Sequence, residues 1–173
     1  VYLRLSTRQV PQVERANTDW EADALKGGYW LRRPAAGAEA AIAFTGAIAP
    51  EVLAAYDQLL DDIPGLGILN VTSPDVLHRE WSASKAARWT DKNAQPCQAE
   101  DLLSVLAPDA GIVTVIDGSP GALSWLGGVQ GMRVSPLGTD RFGQTGDLPD
   151  LYAEYRLDSV AIIDAMAELF LKR

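Results

Sequence analysis

Few residues in this chain could carry chemistry. There is one histidine, His78, and one cysteine, Cys97, among 173 residues. A hydrolytic triad needs an imidazole beside a nucleophile. His78 instead precedes Arg79 and Glu80 in a charged, exposed-looking run, and Gly118-Ser119-Pro120 lacks the GxSxG spacing of a nucleophile elbow. A structural zinc site needs four nitrogen or sulfur ligands, which one His and one Cys do not supply. The carboxylate pairs Asp61-Asp62 and Asp147/Asp150 fall at loop and helix ends and read as caps or solvated charge. Glycine turns follow apolar runs at Gly46, at Asp117-Gly118-Ser119 and at Gly138. None has the GxGxxG or GxxxxGK[ST] spacing that cradles phosphate. A helix N-terminus after a parallel strand can hold an anion, but ordinary strand-to-helix turns account for these three.

Composition sets the outer bounds. Apolar residues make up 47% and charged residues 22%, with a formal charge of −8. Such an acidic balance argues against a nucleic-acid footprint and against anionic membranes. A single cysteine precludes an internal disulfide framework and fits a reducing, cytoplasmic setting. No apolar run approaches the roughly 18 residues of a membrane span. The sequence opens at Val1 without a methionine and inside an apparent strand, so a fragment of a longer protein is expected.

The elements that must position these residues follow from periodicity. Val1–Arg8 alternates apolar and charged residues as a half-buried strand does. Residues 9–26 have no clean period and read as a linker with a short helix. Tyr29–Leu31 reads as an edge strand, because Pro34 cannot donate to a ladder. Ala40–Thr45 is a buried strand, followed by a helix from about Pro50 to Asp62 with Val52, Leu53, Tyr56, Leu59, Leu60 and Ile63 on its apolar face. Leu66–Thr72 is the next strand, and a helix capped by Thr72 or Ser73 is expected to end near Trp81. Residues 82–99 read as polar and irregular, with Lys85, Arg88, Lys92 and Trp89. A short helix spans Ala99–Leu106.

The most organised stretch comes last. Ile112–Ile116 is β-branched, stopped by Asp117-Gly118-Ser119-Pro120, and reads as a strand buried on both faces. An apolar segment, Ala122–Val129, and a strand, Met132–Leu137, complete a βαβ unit. A glycine-spaced loop, Gly138–Gly146, leads to a helix from Leu148. The final helix, Asp158–Lys172, is expected to bury Val160, Ile163, Met166, Ala167 and Phe170. Alternating buried strands and helices predict a three-layer α/β/α sandwich on a mostly parallel five-stranded sheet with one antiparallel edge strand. Trp30, Trp81, Trp89 and Trp125 exceed what so small a core needs, so some are expected at an interface.

LGTDRFGQTGDLPDLYAEYRLD resembles the signature near the end of thiamine-diphosphate-dependent transketolases and of the homodimeric pyruvate (2-oxo-acid) dehydrogenase component. The matching positions are Gly138, Asp140, Phe142, Gly143, Thr145, Leu157 and Asp158. VYLRLSTR is similar to the end of that family's preceding domain. NVTSPDVLHREW is closer to the dehydrogenase than to transketolase, whereas DGSPGALSWLGGVQG departs from the dehydrogenase pattern and leaves the oxo-acid open. The resemblance covers nearly the whole chain.

It implies a transketolase C-terminal-domain fold over 28–173, with 1–27 as the tail of the preceding domain and a linker. It implies that thiamine diphosphate and magnesium belong to upstream domains of the parent enzyme. There a 2-oxo acid is decarboxylated and a lipoyl group acylated. This chain is then expected to contain no catalytic, cofactor-binding or metal-binding residues. Its expected partners are the upstream domains, a second copy in a homodimer, and a lipoyl acyltransferase component. The loop of Gly138, Thr139, Asp140, Arg141, Phe142 and Gly143 is either an interface element or a connector whose Phe142 packs inward. Two other readings stand beside this one: the C-terminal domain of a transketolase, and a free-standing α/β interaction module.

Overall fold

The computed structural model describes residues 8–15, 17–91, 95–141 and 143–171. The expected first strand therefore lies outside the described residues except for Arg8, as do Lys92 and Phe142. Helix α1 (Glu21–Leu25) precedes the edge strand β1 (Gly28–Arg32). Next come β2 (Ala38–Thr45), a 3-10 turn at Gly46–Ile48, and α2 (Ala49–Leu59). Strand β3 (Gly67–Val71), α3 (Pro74–Ala87) and α4 (Gln98–Leu103) follow. The chain then runs through β4 (Leu106–Ile116), α5 (Gly121–Ser124), α6 (Gly127–Gln130) and β5 (Arg133–Leu137). It closes with α7 (Leu148–Glu154) and α8 (Ser159–Leu171).

The five strands form one sheet in the order β1-β3-β2-β4-β5. Strand β1 is antiparallel to β3, and the other neighbours are parallel. Ile42 of β2 lies level with Ile68 on one side and Val113 on the other, so three β-branched residues cross the middle of the sheet. Pro34, just past β1, and Pro136 of β5 belong to the sheet's edges, where a missing N–H costs no ladder bond, and Pro108 of the central β4 falls where its register with β2 shifts.

The pleat sends alternate residues to two separate cores. Ala40, Ile42 and Phe44 of β2, with Val113 and Val115 of β4, meet α2, α7 and α8. Ala41 and Ala43, with Leu69, Val71 and Ile112, meet α3, α4, α5 and α6. A sheet covered on both faces explains why these strands are apolar throughout rather than alternating. Thr114 is a buried polar residue among them. It is fully buried, and its hydroxyl has no partner.

Several sequence expectations need correction. Helix α3 runs to Ala87, six residues beyond the expected end at Trp81, because Ser82–Ala87 contains no helix breaker. Ser73 is the N-cap of α3 without a side-chain bond, and the Thr72 hydroxyl instead donates to Ala24 O at 2.6 Å. The apolar segment at Ala122–Val129 is two short helices. Gly127 and Gly128 weaken it, and a Cβ at Gly127 would lie 2.2 Å from Val134 Cγ2, so the backbone must pass close to β5. In α8 the buried stripe is Ala161, Ile162, Ala165, Met166 and Leu169. Val160 is 62% exposed and Ala167 is also exposed. In α2, Ala49 and Ala55 turn inward with Val52 and Leu59, while Leu60 is exposed. The cap on the last helix does form: Ala161 N donates to Asp158 Oδ1 at 2.8 Å.

Candidate functional site

The parallel strands β2, β4 and β5 all end at one edge, where open α/β sheets place their ligand sites. Leu137 is the last residue of β5, and the signature loop leaves from there. Gly138 packs against the turn that ends β4. A Cβ on it would sit 2.6 Å from Gly118 O and 2.7 Å from Pro120 N. The next residue fastens the same turn, since Thr139 N donates to Gly118 O at 2.7 Å. Gly138 is therefore required by backbone-to-backbone packing.

Arg141 ties the loop to α7. Its guanidinium donates to Glu154 Oε1 at 2.8 Å and to Glu154 O at 3.2 Å. The same group stands 5.5 Å from the Tyr155 ring centroid, and the Tyr155 hydroxyl donates to Arg141 O at 3.2 Å. Asp140 is a weaker neighbour, 3.9 Å from Arg141 Nε. Gly143 has φ +106° with open space around it, a conformation that L side chains rarely adopt. Between loop and helix lies a cleft of about 560 Å³, floored by Leu148, Leu151 and Leu157 and walled by Tyr152 and Tyr155.

A second set of contacts joins the cleft to the start of the described chain. Arg8 makes a two-pronged ion pair with Glu51, both contacts 2.8 Å, and donates to Ala47 O at 3.1 Å. Glu51 holds the Arg8 guanidinium charged more firmly than usual. Arg8 also lies 5.3 Å from the Tyr152 ring, and the Tyr152 hydroxyl donates to Asp117 at 3.3 Å. Burial, and secondarily the negative charge of Asp117, raises the Tyr152 pKa. The network spans residues far apart in sequence, so no motif announces it.

The remaining chemistry-bearing residues lie elsewhere. His78 is on α3, across the sheet from α7. It is exposed and sits edge-on to Trp125 at 5.0 Å. Cys97 is buried, and burial raises its thiol pKa, which suppresses the thiolate. It caps α4 in a reciprocal box: Glu100 Oε2 accepts from Cys97 N at 2.9 Å. Glu100 is gripped by both Arg88 nitrogens, which lowers its pKa to about 2. Asp147 is the N-cap of α7 but makes no side-chain cap bond, and Asp61-Asp62 follow α2 at the opposite edge of the sheet. Asp62 lines a second, apolar cavity of about 610 Å³ between α2 and α8. Among the described residues no three His, Cys, Asp or Glu side chains converge as metal ligands. No described helix is long and apolar enough to cross a membrane.

No protein-family model and no curated protein matches the sequence. Solved structures do match. The chain shares its fold with one part of the transketolases. Transketolase from Leishmania mexicana aligns over 86% of this chain with TM-score 0.61 and 13% identity, and 18% of that protein is covered. A transketolase from Pichia stipitis, solved with sedoheptulose 7-phosphate, aligns over 94% with TM-score 0.61 and 18% identity, covering 20% of that chain. A split-gene transketolase, described as an inactive β4 tetramer, aligns over 86% with TM-score 0.57 and 16% identity. It is covered over 44% of its length. This chain thus spans about a fifth of the single-chain transketolases, and identities this low establish the shared fold.

Proposed function

We propose that this chain is the C-terminal domain of a thiamine-diphosphate-dependent enzyme of the transketolase type, and that it supplies packing and subunit contact rather than chemistry. One observation carries the reading. A five-stranded sheet with a single antiparallel edge strand superposes over 86–94% of this chain on a segment of transketolases. Magnesium diphosphate is held by converging oxygen ligands, and the reading that this chain leaves the cofactor to other domains is supported by the lack, among the described residues, of three converging His, Cys, Asp or Glu side chains. The cleft beside α7 is lined by Asp117 but by no glutamate that could face an aminopyrimidine. Cofactor chemistry is accordingly assigned to other domains of the parent enzyme, and residues 28–173 are read as the domain that follows them.

The finer reading is the 2-oxo-acid (pyruvate) dehydrogenase decarboxylating component, a cytoplasmic homodimer that passes its acyl group to a lipoyl acyltransferase. Its support is the similarity at VYLRLSTR, NVTSPDVLHREW and LGTDRFGQTG. The second reading, a transketolase, is favoured by the identity of the structural neighbours themselves. The full polypeptide containing this chain distinguishes them. Pyruvate-dependent reduction of a redox dye is expected. Ketol transfer between a ketose phosphate and an aldose phosphate would move the assignment to transketolase, and neither activity would overturn the enzyme class.

A further inference from the structure

A polar cleft of about 450 Å³ lies between α1, the edge strand β1 and α4, away from the signature loop. Gln98, the first residue of α4, lines it. Gln98 is only 7% exposed, yet among the described residues its side-chain amide forms no hydrogen bond. Buried polar side chains are nearly always paired, and leaving one unsatisfied costs free energy. The cleft is the one route by which a partner reaches this amide, with its two N–H donors and its carbonyl acceptor. The aromatic walls beside it are fixed by their own chain. The Trp30 indole N–H donates to Leu102 O at 3.0 Å, and the Trp20 indole N–H donates to Asn17 O at 3.0 Å. Arg15 covers one face of Trp20, its guanidinium 4.1 Å from the ring centroid. Walls that are already ordered take less entropy from a ligand that binds between them.

Charge decides the class of ligand. The charged side chains lining the cleft are Asp19, Asp23, Asp101, Lys26 and Arg33. Lys26 pairs with Asp23 at 3.4 Å, and Asn17 Nδ2 donates to Asp19 Oδ2 at 2.8 Å. That leaves Arg33 and Asp101, of opposite sign, and among the described residues neither forms an ion pair, with the other or with any third group. A simple anion would meet three carboxylates in the cleft, and a simple cation would meet Arg33 and Lys26. A neutral polyol would cover Arg33 and Asp101 while leaving both charges uncompensated. A molecule with one carboxylate and one ammonium matches both, the carboxylate accepting from the Arg33 fork and the ammonium donating to Asp101. The Gln98 amide serves either group, as donor to the carboxylate or acceptor from the ammonium. Trp30 and Leu102 supply apolar lining in the same cleft. We propose that this cleft binds a free α-amino acid with an aromatic or aliphatic side chain, held by Arg33, Asp101 and Gln98. The inference stands apart from the enzyme reading above, since no residue of the signature loop takes part in it.

The test is calorimetric titration of the 173-residue chain with L-phenylalanine and with L-leucine, each to about 10 mM. Saturable one-to-one binding of at least one of them is expected. Analogues without the ammonium (3-phenylpropionate, 4-methylpentanoate) or without the carboxylate (phenethylamine, isopentylamine) should bind about tenfold or more weakly. Arg33→Gln and Asp101→Asn change exposed side chains, so folding is retained, which circular dichroism checks. Each should weaken binding of the amino acid by about tenfold or more. Arg79→Gln, on α3, should leave it unchanged. Binding of neither amino acid overturns the proposal. Binding that survives both Arg33→Gln and Asp101→Asn places the ligand elsewhere and overturns the site. Equal binding of a truncated analogue, or of glucose, overturns the ligand class.

Discussion

Replacing Gly138 by alanine tests whether the signature loop is fixed by packing at its root. The new methyl carbon would lie 2.6 Å from Gly118 O, 2.7 Å from Pro120 N and 2.9 Å from Pro120 Cα. All three are backbone atoms of the turn that ends β4, so no side chain can swing away. Overpacking a tight site costs about 1–3 kcal/mol. Moving the turn also strains the 2.7 Å bond from Thr139 N to Gly118 O. The upper half of that range, about 2–3 kcal/mol, is therefore expected. For a domain of this length that corresponds to a fall in melting temperature of about 4–12 °C. Urea and thermal unfolding of the variant measure it, with Gly143→Ala as the comparison. Gly143 has φ +106° and nothing within 4 Å, so its cost is backbone strain alone, about 1–3 kcal/mol, with no contribution from packing. A Gly138→Ala change below about 0.5 kcal/mol, typical of an exposed site, would refute the packing argument.

Three further perturbations follow from the charged and phenolic contacts. Glu100, held by Arg88 at a pKa of about 2 against an ordinary 4.5, favours the folded state above pH 4.5, and that contribution is lost as pH falls toward 2. Glu100→Gln should flatten the acid limb of urea-midpoint against pH in that window, and an unchanged limb would contradict the pairing. Glu51→Gln removes the charge that holds Arg8 and should cost about 1 kcal/mol while opening the bond after Arg8 to trypsin, read by limited proteolysis; unchanged cleavage there would contradict the pairing. Tyr152 is buried beside Asp117, so its phenol ionises above the usual range and its neutral form favours folding until high pH. Tyr152→Phe should remove a phenol that ionises above the usual range in an ultraviolet pH titration, and an unchanged high-pH limb would contradict the burial argument.

The strands were legible because a sheet buried on both faces demands unbroken apolar runs. Ala40–Thr45, Leu66–Thr72 and Ile112–Ile116 contain little else, and Pro34 marked the antiparallel edge. Helix faces were harder to read. Alternative stripes in α8 differ by one residue, and Ile163 and Phe170 on the expected stripe are only half-buried, beside the second cavity. The end of α3 was missed because Ser82–Ala87 is polar on its solvent side yet perfectly helical, and polarity was read as irregularity. Gly138 and Arg141 could be singled out by motif, but their partners could not. The Gly118–Pro120 turn and Glu154 are set by tertiary packing. The Arg8–Glu51 pair, 43 positions apart, leaves no local signal at all. Nor does the grip of Arg88 on Glu100, although a glutamate three residues past a helix start is the expected position for a capping box.

The most direct measurement is a paired calorimetric titration of thiamine diphosphate with magnesium. One sample is this 173-residue chain, and the other is the full polypeptide that contains it. The account predicts no heat of binding for the chain alone and one cofactor per subunit for the full polypeptide. One-to-one binding by the chain alone would contradict the assignment of the cofactor to other domains. Absence of binding in both would contradict the thiamine-enzyme reading itself.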